Sequence, residues 1–287
     1  MDIYLVDGTY ELFRHYYVIP SHLNKQKEEV AATRGVVASI IGMLESGIRH
    51  IGVATDHLIH SFRNDMWHGY KTDKDVPSNL LTQFPLLETA LQALGVVVWP
   101  MMELEADDAI AAAALSLGKS GHVERVVICS PDKDFAQCVR GDQIVQLDRR
   151  KKIFRNETGV IARFGVPPSS IPDWLALVGD VADGYPGIHG WGEKSASMIL
   201  GKYGHLENIP KDVKNWEVWP RHSVNLSNTL QEDMKLALLF RDLATLRTNE
   251  PKIKSPNELH WKSPSGEFEK VCKRLDALAL AKRAHKL

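Results

Sequence analysis

The order of apolar runs along the 287 residues predicts an α/β fold, a doubly wound and mostly parallel sheet followed by a helical subdomain. Two observations carry this. Short runs rich in β-branched residues alternate with segments of helical period in the first half, as right-handed βαβ crossovers require. From about residue 160 the pattern changes to helices broken by Pro and Gly. The expected strands are 3–6 (IYLV), 51–55 (IGVAT), 125–130 (RVVICS) and 143–147 (QIVQL), with helices over 34–49, 79–94 and 106–117 between them. In the second half helices are expected over 172–179, 193–203, 226–240 and 267–285. The predicted division is therefore a core over 1–160 and a helical subdomain over 161–287.

Composition narrows the class. The length suits one large domain or two small ones, with enough chain to bury a core. No apolar run approaches the roughly 18 residues that span a bilayer, and the N-terminus carries no basic and apolar leader pattern. A cytoplasmic protein without a membrane partner is expected. Cys129, Cys138 and Cys272 lack C-x-x-C spacing, so buried thiols are expected rather than disulfides or zinc ligands. The formal net charge of −1 argues against a polyanionic partner only if the acids are spread evenly. Setting aside the nine carboxylates collected below leaves a charge of +8 on the rest of the chain.

Those carboxylates fall where the fold would gather them. IYLVD ends in Asp7, GVATD in Asp56, and VVICSPDKD in Asp132 and Asp134. In a parallel sheet, ligands bind beyond the carboxyl ends of the strands, so these groups are expected in one crevice. ELEADDAIAAAA adds Glu105, Asp107 and Asp108 at the start of a helix, where the macrodipole favours negative charge. ALVGDVADGYPGIHGWGEKSA adds Asp180 and Asp183. Any one of these acids is more simply a turn residue or an N-cap. Nine together repel one another and call for a compensating cation, and oxygen-only ligands point to Mg²⁺ or Mn²⁺ rather than zinc. Two ions suit so many acids, in the arrangement used for in-line displacement at phosphorus.

Other motifs are weaker. GIHGWGEKS fails as a P-loop, because Glu193 separates Gly192 from Lys194 and no strand precedes it. His57 and His60 of HLIH have no Cys or His partner nearby and are read as surface or packed residues. RRKK at 149–152 reads as an exposed hairpin tip, with a phosphate contact as the minority reading. The stretch 61–80 places Arg63, Lys71 and Lys74 among Trp67 and Tyr70. It is either a solvated loop and helix crossing the sheet or a mobile element that grips a backbone and stacks a base.

Taken in order, LVDGTYELFR, TRGVVASIIGML, FRNDMWHGYKTDK, LEADDAIAAAA, SPDKDFAQCV, ALVGDVADGYPGIHGWGEKSA and KLALLFRDLATLRTN resemble the 5′-nuclease family. That family comprises flap endonucleases, phage 5′-to-3′ exonucleases and the N-terminal nuclease domain of bacterial DNA polymerase I. The resemblance implies a PIN-like α/β core whose residues 61–85 base a helical arch. It further implies a helix-three-turn-helix (helix-hairpin-helix-like) DNA-binding hairpin at 184–194. It implies a metal-dependent 5′-to-3′ exonuclease or flap endonuclease, with Asp7, Asp56, Glu105, Asp107 and Asp108 as one group of metal residues and Asp132, Asp134, Asp180 and Asp183 as the other. Lys71 would contact the scissile phosphate and Tyr70 would lie beside the unpaired end, while Lys74 stands where an arginine is common and lacks its fork. Arg63 joins this DNA-binding set. With Lys71, Asp107 and Asp132 are the acids placed at the chemistry.

Backbone N–H groups of Gly190 and Gly192, with Lys194, would face duplex phosphates. Relatives often bind K⁺ at this hairpin through main-chain carbonyls, and Trp191 replaces a usual aliphatic residue and is expected to pack beneath it. The expected partner is DNA with a 5′ flap or junction, with RNA–DNA hybrids as a further substrate. The expected chain is a monomer without a polymerase domain, acting in replication or repair near the nucleoid. Three other classes remain in view. A PIN-like single-strand ribonuclease would not need the hairpin, a non-catalytic junction binder would be expected to have lost acids, and a P-loop phosphotransferase needs a Gly-Lys pair that is missing.

Overall fold

The computed structural model describes residues 1–287, the side chain of Asp75 excepted. The chain divides into two compact units. The first comprises Met1–Ser61, Thr72–Ser130 and Arg247–Leu287; the second comprises Phe62–Lys71 and Pro131–Leu246.

The first unit is built on four parallel strands, β1 (Asp2–Asp7), β2 (Ile51–Asp56), β3 (Val97–Met101) and β4 (Arg125–Cys129), in the order β3-β2-β1-β4. Leu5 of β1 lies level with Gly52 on one side and Ile128 on the other. Burial on both faces explains why β2 is buried throughout and why these strands read as unbroken apolar runs. β3 escapes a sequence reading because VVWPM contains Pro100, which a sheet tolerates at an edge, and because most of its residues are half-exposed. The helix Gly8–Val18 was not expected; its mixture of aromatic and charged residues hides the period.

The other helices of this unit include Ala31–Glu45 and Ala106–Leu117, the latter matching its expected span. The segment expected as one helix over 79–94 is two, Ser78–Leu81 and Gln83–Ala93. Over 61–85 the chain holds only short helical pieces, Phe62–Met66, Asp73–Asp75 and Ser78–Leu81, before that second helix begins.

The C-terminal segment belongs to this first unit by compactness, not to the helical half that follows residue 160. The Trp261 N–H donates to the Arg49 carbonyl at 2.6 Å, and its indole Nε1 to the Leu94 carbonyl at 2.9 Å. Arg274 pairs with Glu28 and Arg283 with Glu45. The helix expected over 267–285 is interrupted: Phe268–Arg274 and Leu278–Ala284 are separated by Asp276 in the left-handed region.

The second unit contains an antiparallel hairpin, β5 (Ile144–Asp148) and β6 (Ile153–Arg155), whose tip carries the RRKK run with Arg150, Lys151 and Lys152 exposed. Its helices are Glu157–Phe164, Ile171–Val178, Glu193–Tyr203, Ser223–Glu232 and Met234–Ala244. The expected helix over 226–240 is thus two, broken at Asp233. Phe164, Trp174, Tyr185, Trp191, Leu200 and Phe240 anchor the core of this unit.

Candidate metal centre and nucleic-acid surface

In the first unit the strand-end acids are held by the groups that terminate each strand. Asp7 closes β1 and caps the following helix, accepting from the Tyr10 N–H and from Ser130 Oγ, both at 2.8 Å. Asp56 closes β2; its Oδ1 accepts from the Ala106 N–H at 2.6 Å, while its own N–H donates to Thr9 Oγ1 at 2.8 Å. Glu105 is the N-cap of the helix Ala106–Leu117 and accepts from Ser61 Oγ at 2.6 Å. Asp107 stands half-buried in the first turn of that helix. The sequence therefore placed these acids at the correct ends of their elements. Ser61 and Ser130, which orient two of them, carry no signal in their own neighbourhood.

Asp108 also anchors its helix. It is fully buried; its Oδ2 accepts from the Glu105 N–H at 3.0 Å and its Oδ1 from the Arg247 N–H at 2.7 Å. Both oxygens serve the capping box and the C-terminal segment, so Asp108 positions the helix start. The HLIH motif is also accounted for: His57 Nδ1 lies 2.7 Å from Glu88 Oε2, and Thr55 Oγ1 donates to Glu88 Oε1 at 2.8 Å.

The second unit brings its acids much closer. Among the described residues, Asp134, Asp180 and Asp183 each offer one oxygen within 4.8 Å of the others. Asp132 caps the short turn Lys133–Cys138 by accepting from the Asp134 N–H at 3.0 Å. Asp180 and Asp183 sit on a turn in which Asp180 and Tyr185 exchange both backbone hydrogen bonds, at 2.9 and 3.0 Å, and the Ala182 N–H donates to Asp180 Oδ1 at 3.0 Å.

The electrostatics of this group are unfavourable as they stand. Asp134 is buried and its Oδ1 has no hydrogen-bond partner. Burial, followed by the charges of Asp132, Asp183 and Asp180, drives its carboxyl well above the usual range. Asp132 touches solvent, yet the protein crowding it and the charge of Asp180 raise its carboxyl as well. Burial and the same four carboxylates also push the Tyr185 hydroxyl up, and this buried hydroxyl too lacks a partner. Two lysines supply partial compensation, Lys71 Nζ at 2.9 Å from Asp183 Oδ1 and Lys133 Nζ at 3.0 Å from Asp180 Oδ2. An unpartnered buried carboxylate oxygen beside two more carboxylates, all hard oxygen donors, fits a Mg²⁺- or Mn²⁺-class ion. Lys133 was not singled out in the sequence. Its position between Asp132 and Asp134 was the available signal.

The glycines of the turn divide by task. Gly184 and Gly187 have positive φ, and a Cβ at either would meet backbone: Gly69 O at 2.0 Å from the first, Gly179 N and Leu177 O at 2.5 Å from the second. These two allow backbone to approach backbone. Gly190 is exposed with φ +83°, and a Cβ there would meet only a Leu226 methyl at 3.8 Å; Lys194 is exposed at the start of the helix Glu193–Tyr203. Gly192 is a correction to the expected phosphate-facing pair, since its N–H donates to Ser195 Oγ at 3.0 Å. Trp191 packs beneath the hairpin as expected, buried, with its Nε1 donating to the Leu226 carbonyl at 3.2 Å.

Two further corrections concern 61–80. Arg63 is 1% exposed; its Nε donates to the Leu243 carbonyl at 2.8 Å and its Nη2 approaches the Thr245 carbonyl at 3.4 Å. Tyr70 is 3% exposed and packs in the core of the second unit. Neither is placed to touch DNA: the Arg63 guanidinium is spent on backbone carbonyls, and the Tyr70 ring is packed among apolar side chains. Lys74 is exposed, and Lys71 reaches both Asp183 and the face of Tyr70, its Nζ 5.5 Å from the ring centre.

Comparison with known proteins places the sequence and the fold in a family. Residues 2–165 match the family model for the 5′-3′ exonuclease N-terminal resolvase-like domain, and residues 166–267 match that for the 5′-3′ exonuclease C-terminal SAM fold. The chain is 32% identical over 282 residues to the 5′-3′ exonuclease of Aquifex aeolicus, covering 96% of each. It is 30% identical to DNA polymerase I of Mycobacterium leprae, covering 96% of this chain but 32% of that protein. A solved complex of the bacteriophage T5 flap endonuclease with DNA and metal ions has the same fold, with a TM-score of 0.66 at 17% identity over 100% of this chain and 97% of that one. By its sequence over nearly its whole length, this chain belongs to the 5′-3′ exonuclease family.

Proposed function

We propose that the chain is a structure-specific 5′-nuclease that hydrolyses DNA phosphodiesters at 5′ flaps and single-strand/duplex junctions with two divalent cations, Mg²⁺ or Mn²⁺. The observation that carries this reading is the cluster of Asp134, Asp180 and Asp183 with its unpartnered buried oxygen. The metal ions and DNA in the T5 flap endonuclease complex support it. Asp134, Asp180 and Asp183 would hold one cation with Asp132 beside them; Asp7, Asp56, Glu105 and Asp107 would hold the other. When bound, such ions supply a water of lowered pKa and neutralise charge on the phosphate. Lys71 places a positive charge where charge develops at phosphorus, and it needs no proton transfer to do so. Lys74 and Lys194, both exposed, and the backbone of exposed Gly190 would present cationic and donor groups to the DNA backbone.

The reading extends to K⁺ held by main-chain carbonyls of the hairpin, to RNA–DNA hybrids as a further substrate, and to a monomer in the cytoplasm serving replication or repair. Labelled 5′-flap, nicked-duplex and single-stranded DNA and RNA, each with Mg²⁺, Mn²⁺ or a chelator, test it. Cleavage of flap DNA that a chelator abolishes is expected; a chain that cuts no DNA flap refutes the proposal, and cleavage confined to RNA single strands points to the ribonuclease reading instead. For the hairpin, Gly190→Val is expected to weaken duplex binding while Mn²⁺ binding persists. Equal duplex affinity removes the hairpin from the DNA surface.

A further inference from the structure

The two lysines beside the acidic cluster have different standing: Lys71 is part of the reading above, while Lys133 is not. Lys133 opens the turn Lys133–Cys138, flanked by Asp132 and Asp134, and its side chain is about one-third exposed. Its Nζ contacts Asp180 Oδ2 at 3.0 Å. The other oxygen of Asp180 is already committed to the turn through the Ala182 N–H. Oδ2 is the oxygen that the turn leaves open and the one that Lys133 holds, so a cation bound through Oδ2 competes with Lys133 directly.

We infer that Lys133 is the internal counter-ion of Asp180, exchanged for the divalent cation when it binds and thereby released to bind the substrate's phosphate. The inference rests on the nuclease reading and extends it to a second phosphate-binding lysine. Three physical steps support the exchange. A divalent ion outcompetes a monovalent ammonium for one carboxylate oxygen because its charge is higher and its radius smaller. Once it is there, like-charge repulsion drives Nζ away from Oδ2. The partly exposed, flexible stem lets the ammonium swing toward solvent, where a phosphodiester bound at the cation is the nearest new anion, and a lysine binds phosphate as a point charge without needing a fixed approach. No bond forms or breaks at Lys133 and no proton moves.

Removing the ammonium then has opposite effects on the two ligands. In Lys133→Met the apolar stem is retained and the competitor for Oδ2 is lost. Mn²⁺ binding to the DNA-free protein, read by electron paramagnetic resonance, is expected to tighten several-fold. The single-turnover rate on 5′-flap DNA at saturating Mg²⁺ is expected to fall ten-fold or more, and affinity for flap DNA in Ca²⁺ several-fold. Lys133→Arg, which keeps the charge, is expected to recover most of the DNA affinity and the Mn²⁺ affinity of the parent. A purely structural salt bridge would lower the melting temperature of Lys133→Met without tightening Mn²⁺ binding, and that result overturns the inference, as does unchanged Mn²⁺ affinity with an unchanged rate. A parent chain that cuts flap DNA while Lys133→Met behaves as the parent refutes only the role of Lys133. A parent that neither binds Mn²⁺ nor cuts DNA refutes the nuclease reading and this inference with it.

Discussion

Asp134 is where folding and the proposed chemistry conflict most directly. Its carboxyl is buried, surrounded by like charges and unpartnered at Oδ1. Because its folded pKa is raised, the unfolded chain ionises first as pH rises above about 4, and folded stability without metal falls over that window. Asp134→Asn is therefore expected to melt higher than the parent at pH 7 in chelator, the difference closing below about pH 4. The same variant is expected to lose the stabilisation given by Mg²⁺ and to cut flap DNA at least about 100-fold more slowly. Thermal melts with and without Mg²⁺ decide the first pair of outcomes, and a cleavage assay decides the last. Arg63 teaches the complementary lesson. A basic residue in a polar, aromatic stretch reads as a DNA contact, yet its guanidinium sits inside, satisfying carbonyls at the end of the helix Met234–Ala244.

At the scale of elements, local capping chemistry organises much of the site. Asp7 caps the helix after β1, Asp132 caps the turn after β4, and Glu105 with Asp108 boxes the start of the helix Ala106–Leu117. Asp108→Ala removes the acceptor of one buried and one part-buried N–H and is expected to cost about 1–3 kcal/mol in urea unfolding. A loss below that range would mean that neither bond bears on stability. The Gly-rich turn gives a second test. Gly187→Ala and Gly190→Ala both force a side chain into the left-handed region, at about 1–2 kcal/mol each. At residue 187 the new Cβ also meets backbone at 2.5 Å, whereas at residue 190 the nearest atom is a Leu226 methyl at 3.8 Å. Denaturant melts are expected to show Gly187→Ala as clearly the more damaging; equal losses would dissociate the turn's close approach from its stability.

At the scale of the whole molecule, the C-terminal segment is the main departure from a linear reading of the chain. Residues 247–287 complete the first unit, and the forked pair of Arg274 with Glu28, at 2.9 and 2.6 Å, ties them to the loop before the helix Ala31–Glu45. This pairing draws the Glu28 carboxyl down to about 2 from 4.5. A depressed carboxyl contributes stability above its unfolded pKa and loses it as pH falls through the folded value. Glu28→Gln is thus expected to lower stability at pH 7 by about 0.2–1 kcal/mol, the exposed pair being screened, and to match the parent near pH 2. Parallel acid-dependent stability curves for the two proteins would contradict this.

The sequence by itself determined the α/β core, three of its four parallel strands and the strand-end positions of the acids, because burial on both faces and strand-end capping leave local patterns in the chain. It also placed the glycines that make the 179–192 turn possible. The fates of Arg63, Tyr70 and Asp108, the capture of Gly192 by Ser195, and the pairing of Lys133 with Asp180 were decided only in the tertiary structure. Periodicity reports which face of an element is apolar. It does not report which partner, tens of residues away, reaches a given carboxylate or guanidinium first, and burial and charge turn on that partner.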